Sequence, residues 1–306
     1  MKHNTIPNIH KPLSVRIKRQ KYLLIMLIPG IVWYILFKYL PLMGLSLAFT
    51  DYGFRAKVSF IGLENFRRLF NSAIFWKAFK NTLIISLANI VFYFPAPIIV
   101  ALLINELKSL RAKRTIQFLI YIPYFFSWVV VGSIFVTLLS PSSGLVNSII
   151  KLFGGDPIYF MASTTYFRPV LVSSYIWRQM GYGAVIYVAA LSTVEPDLYE
   201  AATVDGAGRW SKLFNVTLPS IRSTIVTMLL LNLSHVLLIF EQVLVMYNAA
   251  VYDVADVLQT YVFREGVLQG DMGYSIAVGM FTSIISLVLV LTTNKVSSRF
   301  LDEPIL

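Results

Sequence analysis

A compact polar segment, residues 200–221 (EAATVDGAGRWSKLFNVTLPSI), lies between two long apolar stretches of the sequence. Glu200 favours the positive, N-terminal end of a helix dipole. Leu198, Ala201 and Ala202 follow the spacing of one helix face. Because that face is small and apolar, the backbone of another element can approach it closely. These residues predict a surface that something else covers.

Gly206 is predicted to end this first helix, because glycine readily takes the left-handed conformation that follows a helix. A second short helix is predicted over residues 207–215, and the Leu-Pro pair at 218–219 is expected to break the pattern before the next apolar stretch. The second helix would have an aromatic face formed by Trp210, Leu213 and Phe214. Periodicity alone leaves open whether this pair of helices packs on the chain's own apolar segments or on another protein.

Polar and aromatic side chains also interrupt the apolar stretches themselves. Ionisable and amide groups at membrane depth are costly, so they indicate a binding site or a pathway. The Pro-Ala-Pro sequence at 95–97 marks a bend, and bent helices at that depth line cavities. The candidates are Asn89, Tyr93, Tyr124, Trp128, Trp177, Arg178, Gln179, Tyr182, Asn232 and Glu241. Tyr and Trp also gather at bilayer interfaces whatever the function, so each ring has a packing alternative. His235 is interpreted as an interhelical hydrogen-bond partner.

Composition places these stretches in a membrane. Of 306 residues, 57% are hydrophobic and 13% are charged, whereas soluble domains carry about 25% charged residues. Several windows approach or exceed the roughly 20 residues that cross a bilayer. They are residues 22–50, 81–105, 115–150, 169–194, 223–240 and 272–294. The sequence therefore predicts an all-α integral membrane protein with six transmembrane helices.

Basic residues predict the orientation of these helices. Six of the 26 Lys and Arg lie in residues 1–21 without any acid, and four more lie in residues 108–114. The positive-inside rule places both clusters in the cytoplasm. With six crossings, both termini are then cytoplasmic. The predicted organisation is a basic cytoplasmic N-terminal segment (1–21), a six-helix transmembrane domain (22–294) and a cytoplasmic tail (295–306). The net charge is +11. Because the clusters of basic residues lie next to predicted spans, nucleic acid is not an expected partner.

The remaining links follow from the same orientation. The 195–221 loop is predicted to be cytoplasmic, and the 242–271 link is predicted to lie outside. Residues 51–80 must also lie outside, although they hold six bases and two acids. Within them, GLENFRRLFNSAIFWKAF spaces Leu63, Phe66, Leu69, Phe70 and Ala73 at helical intervals, which predicts an amphipathic helix on the outer interface. The alternative is an ordinary polar loop with a few aromatic residues.

Enzyme chemistry is poorly represented in this sequence. It has no cysteine and three histidines, two of them in the first ten residues. No G-x-x-x-x-G-K-[ST] phosphate loop is present, and no metal-ligand or Ser/His/Asp pattern is visible. We therefore expect no catalytic residue, no metal and no cofactor in this chain, and any ATP must be bound elsewhere.

The polar segment resembles the loop E-A-A-x(3)-G-x(9)-I-x-L-P of binding-protein-dependent ABC importer permeases. Its spacing is kept throughout, with Val216 in place of isoleucine. The matching residues are Glu200, Ala201, Ala202, Gly206, Leu218 and Pro219. Four stretches look like the sugar-type, maltose-permease-like branch, and most like its permeases for oligosaccharides or polysaccharide fragments. They are FIGLENFRRLF, SWVVVG, LYEAATVDGAGRW and FEQVLVMYN.

The resemblance implies a type I importer fold in a bacterial cell membrane. It implies that the 195–221 loop couples the chain to a separate ATPase, which binds ATP and Mg²⁺. The coupling residues would be Glu200, Ala201, Ala202, Asp205, Gly206, Trp210, Leu218 and Pro219. The implied partners are a second homologous permease in a heterodimer, two cytoplasmic ATPase subunits, an extracytoplasmic solute-binding protein, the lipid bilayer and a carbohydrate substrate.

An ion-gradient-driven secondary transporter of a small polar solute is the alternative. Such proteins often carry inverted repeats and midplane carboxylates. This chain shows no repeat, and Glu241 is its one intramembrane acid. Loss of uptake on adding a protonophore, with ATP maintained, would favour this alternative.

Overall fold

The computed structural model describes residues 20–54 and 58–301, with side chains described as far as residue 295. The basic segment 1–21 thus lies almost wholly outside the described residues. Within them the fold is helical, and the only β-type pairing is one isolated bridge between Thr50 and Phe60. The principal helices are α1 (Lys21–Phe49), α2 (Glu64–Asn71), α3 (Ala73–Tyr93), α4 (Pro95–Glu106), α5 (Leu110–Phe125), α6 (Trp128–Leu138), α7 (Leu145–Leu152), α8 (Phe167–Ser192), α9 (Pro196–Val204), α10 (Arg209–Ser220), α11 (Arg222–Ser234), α12 (Glu241–Met246), α13 (Tyr252–Ala255), α14 (Leu258–Phe263) and α15 (Met272–Leu301).

Helix α8 lies at the centre of the bundle, packed along α3 and α4. Two glycines of α8 allow close packing, Gly181 against α5 and Gly183 against α4. A Cβ at Gly181 would lie 2.1 Å from the backbone oxygen of Ile120, and one at Gly183 would lie 2.8 Å from Cγ of Pro97. Separations this short exclude any larger residue unless the neighbouring helices move apart.

Two of the predicted spans are bent in the structure. The 115–150 window is not one helix, because α5 and α6 meet at 101° and α7 is a separate element. The break follows Pro123, and the Ser127 side chain caps α6 by accepting a hydrogen bond from the Val130 N–H. Among the described residues, three helices are long and apolar enough to cross a membrane, or up to five if each bent pair is one span. The number six therefore stays a prediction.

The fifth predicted span, 223–240, is also shorter than expected. Helix α11 ends at Ser234, and residues 235–240 form a turn and irregular chain before α12 begins. Helices α10 and α11 meet at 62°. A continuous apolar window therefore does not specify a continuous helix here.

The amphipathic helix expected within residues 62–79 is present but covers only Glu64–Asn71. The chain breaks at Ser72, whose side chain accepts a hydrogen bond from the Phe75 N–H and so caps α3. Helix α2 turns Asn65 and Leu69 inward, while Phe70 stays exposed. The Asn65 amide donates to the carbonyl oxygens of Ala48 and Thr50 at 2.8 and 2.9 Å. This amide fastens α2 to the end of α1.

The 51–80 and 242–271 links meet at one end of the bundle. Arg68 forms an ion pair with Asp271, and the Gly273 N–H donates to the Tyr52 carbonyl oxygen at 2.7 Å. Within the 242–271 link, Arg264 forms a buried ion pair with Asp256 at 2.9 Å.

The 195–221 loop lies at the opposite end. Helix α8 begins beside the 242–271 link, where the Nε of Arg168 donates to the Val254 carbonyl oxygen at 3.1 Å. Its 26 residues extend about 39 Å at the helical rise, and the loop starts three residues after its end. This separation agrees with the predicted arrangement, and which end faces the cytoplasm stays a prediction.

Candidate functional site

The 195–221 loop folds as two helices joined at a glycine. Helix α9 ends at Val204, and Gly206 takes a left-handed φ of +76°. The Ala207 N–H then donates to the Ala202 carbonyl oxygen at 2.9 Å, and the Gly206 N–H donates to that of Thr203 at 3.0 Å. These bonds satisfy carbonyl groups that the helix end leaves open. The predicted helix stop at Gly206 is present.

A shallow depression of about 580 Å³ lies between the two helices of the loop. Its lining is small and largely apolar on the α9 side, as the spacing of the sequence predicted. The residues around it are Leu198, Ala201, Ala202, Asp205, Gly206, Ala207, Gly208, Ser211, Asn215 and Val216. Glu200 is exposed on α9 and does not line this depression. A protruding element of another chain can reach the α9 backbone here.

Helix α10 continues through Leu218 and Pro219, so the predicted break at these residues is wrong. A π-helical turn, Leu213–Thr217, precedes the proline. We attribute the continuity to this wider turn, which changes the hydrogen-bond register where the proline ring would oppose regular α-helix. The chain bends two residues later, at Ile221, where α11 takes a new direction.

An exposed aromatic pair lies on α10. The Trp210 and Phe214 rings stack with centroids 6.2 Å apart, and these residues are 73% and 60% exposed. The Tyr199 hydroxyl lies 3.1 Å from Thr217 Oγ1, and Lys212 Nζ donates to Thr203 Oγ1 at 2.7 Å. These two contacts hold α9 and α10 together, so the exposed rings of Trp210 and Phe214 have a fixed position relative to α9.

A second site is a cavity of about 480 Å³ among α3, α5, α8 and α11. Seven of the ten polar and aromatic candidates from the sequence line it. They are Asn89, Tyr93, Tyr124, Arg178, Gln179, Tyr182 and Asn232. The volume falls within the range of pockets that bind small ligands.

Aromatic rings form much of the cavity wall. Tyr124 and Tyr182 stack nearly parallel with centroids 4.2 Å apart, and Tyr93 meets Tyr175 edge-on at 4.9 Å. Trp128 is buried and lies behind the wall, stacked on Tyr175 at 6.2 Å. Faces of this kind suit the apolar C–H surfaces of a sugar ring.

Trp177 and Glu241 are not brought to the cavity. Trp177 lies on α8 about 100° around the helix axis from Arg178, and its ring meets that of Phe135 edge-on with centroids 6.0 Å apart. Glu241 is exposed at the start of α12, because α11 ends before reaching it. His235 lines the cavity, but its Nδ1 contacts Ser234 Oγ and the Leu231 carbonyl oxygen. These partners belong to its own segment, so the interhelical interpretation was wrong.

Tyr175 is a cavity residue that the sequence reasoning missed. It lies three residues before Arg178 and seven before Tyr182 on α8. That spacing puts all three on one helix face. Helical periodicity applied outward from Arg178 would have found it.

A helical membrane bundle with a polar, aromatic cavity and a projecting loop defines a transport subunit. Residues 94–301 match the family described as the binding-protein-dependent transport system inner membrane component. The chain belongs to this family.

Similar proteins agree in length and fold. The polygalacturonan/rhamnogalacturonan transport system permease protein YteP of Bacillus subtilis (strain 168) is 42% identical, over 96% of this chain and 93% of its own length. Protein LplB of the same organism is 40% identical, over 94% and 92% respectively. A solved bacterial ABC transporter that imports the acidic polysaccharide alginate has a TM-score of 0.89 at 39% identity, covering 95% of this chain and all of that one.

These matches confirm the predicted family, its all-helical type I importer fold and its location in the bacterial inner membrane. The chain is the permease subunit of an ABC importer, a membrane component and not an enzyme. Transport in this family depends on a binding protein. The secondary-transporter alternative is not supported.

Proposed function

We propose that this chain carries a saccharide across the membrane through the cavity at α3, α8 and α11, driven by ATPase subunits that dock on the 195–221 loop. Relatives named for polygalacturonan, rhamnogalacturonan and arabinooligosaccharides support a saccharide substrate. The stacked tyrosines and the amides of Asn89, Gln179 and Asn232 supply apolar faces and hydrogen bonds that suit sugar rings and hydroxyls.

The observation that carries the coupling proposal is the position of the loop. It follows α8 directly, and it leads into α11 through the bend at Ile221. Both of these helices line the cavity, α8 with Arg178 and α11 with Asn232. A force on the loop therefore acts on two cavity walls at once, and this is how closure of an ATPase dimer would change access to the cavity.

The proposed contact with the ATPase has two parts. The small residues around Ala201, Ala202 and Gly206 form a depression that admits a protruding side chain. The exposed pair of Trp210 and Phe214 provides apolar area beside it, and large exposed apolar groups of this kind mark interaction surfaces. Glu200, Asp205, Leu218 and Pro219 complete the proposed coupling set, with the last two inside the continuous α10.

The complete assembly we propose contains this chain, a second homologous permease, two ATPase subunits that bind ATP and Mg²⁺, and an extracytoplasmic solute-binding protein. A solved relative of this chain is in complex with an alginate pentasaccharide-bound periplasmic protein, which supports the last of these partners. The cavity is then one half of a pathway shared by two permeases.

The test is reconstitution of the assembled complex in proteoliposomes with its binding protein. We expect saccharide uptake that requires ATP and persists when a protonophore collapses the ion gradient. Glu200→Arg should uncouple ATP hydrolysis from uptake, whereas Glu106→Arg, an exposed charge reversal at the end of α4, should not. Uptake abolished by the protonophore with ATP maintained would refute the proposal, and unchanged coupling in Glu200→Arg would refute the role of the loop.

A further inference from the structure

Arg178 differs from the other polar residues of the cavity in being positively charged and held in place. Its Nε donates to the Phe126 carbonyl oxygen at 2.9 Å. Its Cζ lies 4.7 Å from the centre of the Trp128 ring and 5.5 Å from that of Tyr124. A guanidinium between a carbonyl and aromatic rings loses much of its rotational freedom, so it is oriented before any ligand arrives.

The cavity around Arg178 carries no opposing charge. Among the described residues that line it, none is Asp or Glu, and no ion pair or further hydrogen bond to the Nη groups of Arg178 is found there. An arginine at membrane depth ordinarily pairs with an acid or with backbone carbonyls. Here only the Nε has such a partner, and the two Nη groups keep their donors for a ligand.

Neighbouring groups complete a saccharide subsite. Tyr182 is 48% exposed beside Arg178 on the same face of α8, and its ring is stacked on Tyr124. Asn89 lines the cavity from α3, and its buried Oδ1 has no hydrogen-bond partner among the described residues. The set offers a ring face, a free acceptor for a hydroxyl and a forked cation.

We infer that Arg178 binds the carboxylate of an acidic sugar, so that the cavity selects anionic over neutral saccharides. This inference rests on the proposed saccharide function and narrows it to uronate-containing chains. The forked guanidinium matches the two oxygens of a carboxylate, and charge-assisted bonds of this type are about twice as strong as neutral ones. A neutral sugar would leave the Nη groups of Arg178 without an anionic partner.

The structural alternative is that Arg178 only braces the break between α5 and α6, through Phe126 and Trp128. The two roles predict different behaviour. A brace acts equally on every substrate, whereas a carboxylate ligand discriminates between a uronate and its neutral ester. The test therefore compares trigalacturonate with its fully methyl-esterified form, two probes of nearly the same shape and different charge.

Binding is measured by NMR titration of both probes onto the purified permease–ATPase complex without the binding protein. The native complex should bind trigalacturonate at least about tenfold tighter than the ester, the ratio that one charge-assisted hydrogen bond supplies. Raising the salt concentration should weaken only the acid, because its charge is screened. Arg178→Gln should abolish the preference, Arg178→Lys should keep part of it, and Lys151→Gln, the removal of an exposed charge outside the cavity, should leave it intact.

Equal binding of the acid and the ester by the native complex would overturn the inference, as would a preference that survives in Arg178→Gln. If Arg178→Gln does not fold, the reduced preference expected of Arg178→Lys tests the same role, and equal binding of both probes by the native complex still refutes it. ATP-driven uptake in proteoliposomes separates the two proposals. Saccharide uptake without a charge preference in binding would refute the role of Arg178 but agree with the proposed function. An absence of ATP-dependent uptake would refute the proposed function.

Discussion

Replacement of Gly206 by alanine tests whether the shape of the 195–221 loop transmits force. Gly206 has a φ of +76°, and a Cβ added there would meet no heavy atom within 4 Å. Its cost is therefore a backbone cost alone, about 1–2 kcal/mol for a left-handed residue other than glycine. Gly208 is the matched control, because it has equally open surroundings and an ordinary φ of −73°.

A change of 1–2 kcal/mol alters a conformational equilibrium by a factor of about 5 to 30. If ATPase docking requires the two-helix shape of the loop, saccharide uptake per ATP hydrolysed should fall by up to that factor in Gly206→Ala. Gly208→Ala adds the same methyl group to the lining of the depression without the left-handed backbone cost, so it should lose less coupling than Gly206→Ala. Gly206→Asn should fall between them, because asparagine tolerates the left-handed region better than alanine does.

The assay is ATP hydrolysis and saccharide uptake measured on the same proteoliposomes. Unfolding temperatures of both alanine variants should match that of the native complex within a few degrees, because the loop is exposed. Equal coupling in Gly206→Ala and Gly208→Ala would refute the reasoning, since the two differ only in the sign of φ.

Four further substitutions, one of them a control, have outcomes that follow from local packing and charge. Gly181→Ala places a Cβ 2.1 Å from the Ile120 carbonyl oxygen. We therefore expect the free energy of unfolding to fall by at least about 2 kcal/mol, with a lower unfolding temperature in detergent. The control, Gly279→Ala, has open space around it and should be neutral or stabilising. Burial of Glu265 raises the pKa of its carboxyl, because desolvation outweighs the attraction of two nearby arginines. The protonated carboxyl therefore contributes to the free energy of unfolding at low pH, and this contribution is lost as the pH rises through the raised pKa. Glu265→Gln should flatten that part of the pH profile of thermal unfolding. Trp210→Ala should weaken ATPase binding by about 2 kcal/mol if the ring is a central contact, with little change in unfolding temperature.

The family and the polar loop were predictable because both depend on residue types at fixed spacing. Ala201, Ala202 and Gly206 have small side chains for reasons of close approach and backbone conformation, and these can be inferred from a single sequence. The cavity was partly predictable for a similar reason. Arg178 and Asn89 are costly in lipid, so they stand out in apolar windows.

The bends were not predictable from hydropathy. An apolar window indicates that a segment is soluble in lipid. It does not indicate whether the backbone hydrogen bonds of one helix continue through the segment. Pro123 suggests the break between α5 and α6, yet Pro219 lies inside a helix because a π turn precedes it. The prediction that Glu241 reaches the cavity depends on a continuous α11, and α11 ends at Ser234 instead.

The contacts between the 51–80 and 242–271 links impose an order on the chain's synthesis. Arg68 and Asp271 lie 203 positions apart in the sequence, a length that a ribosome takes roughly 10–40 s to add. Throughout that interval Arg68 lacks its ion-pair partner, and the Tyr52 carbonyl lacks the Gly273 N–H that later binds it. These contacts can therefore form only when synthesis of the chain is nearly complete.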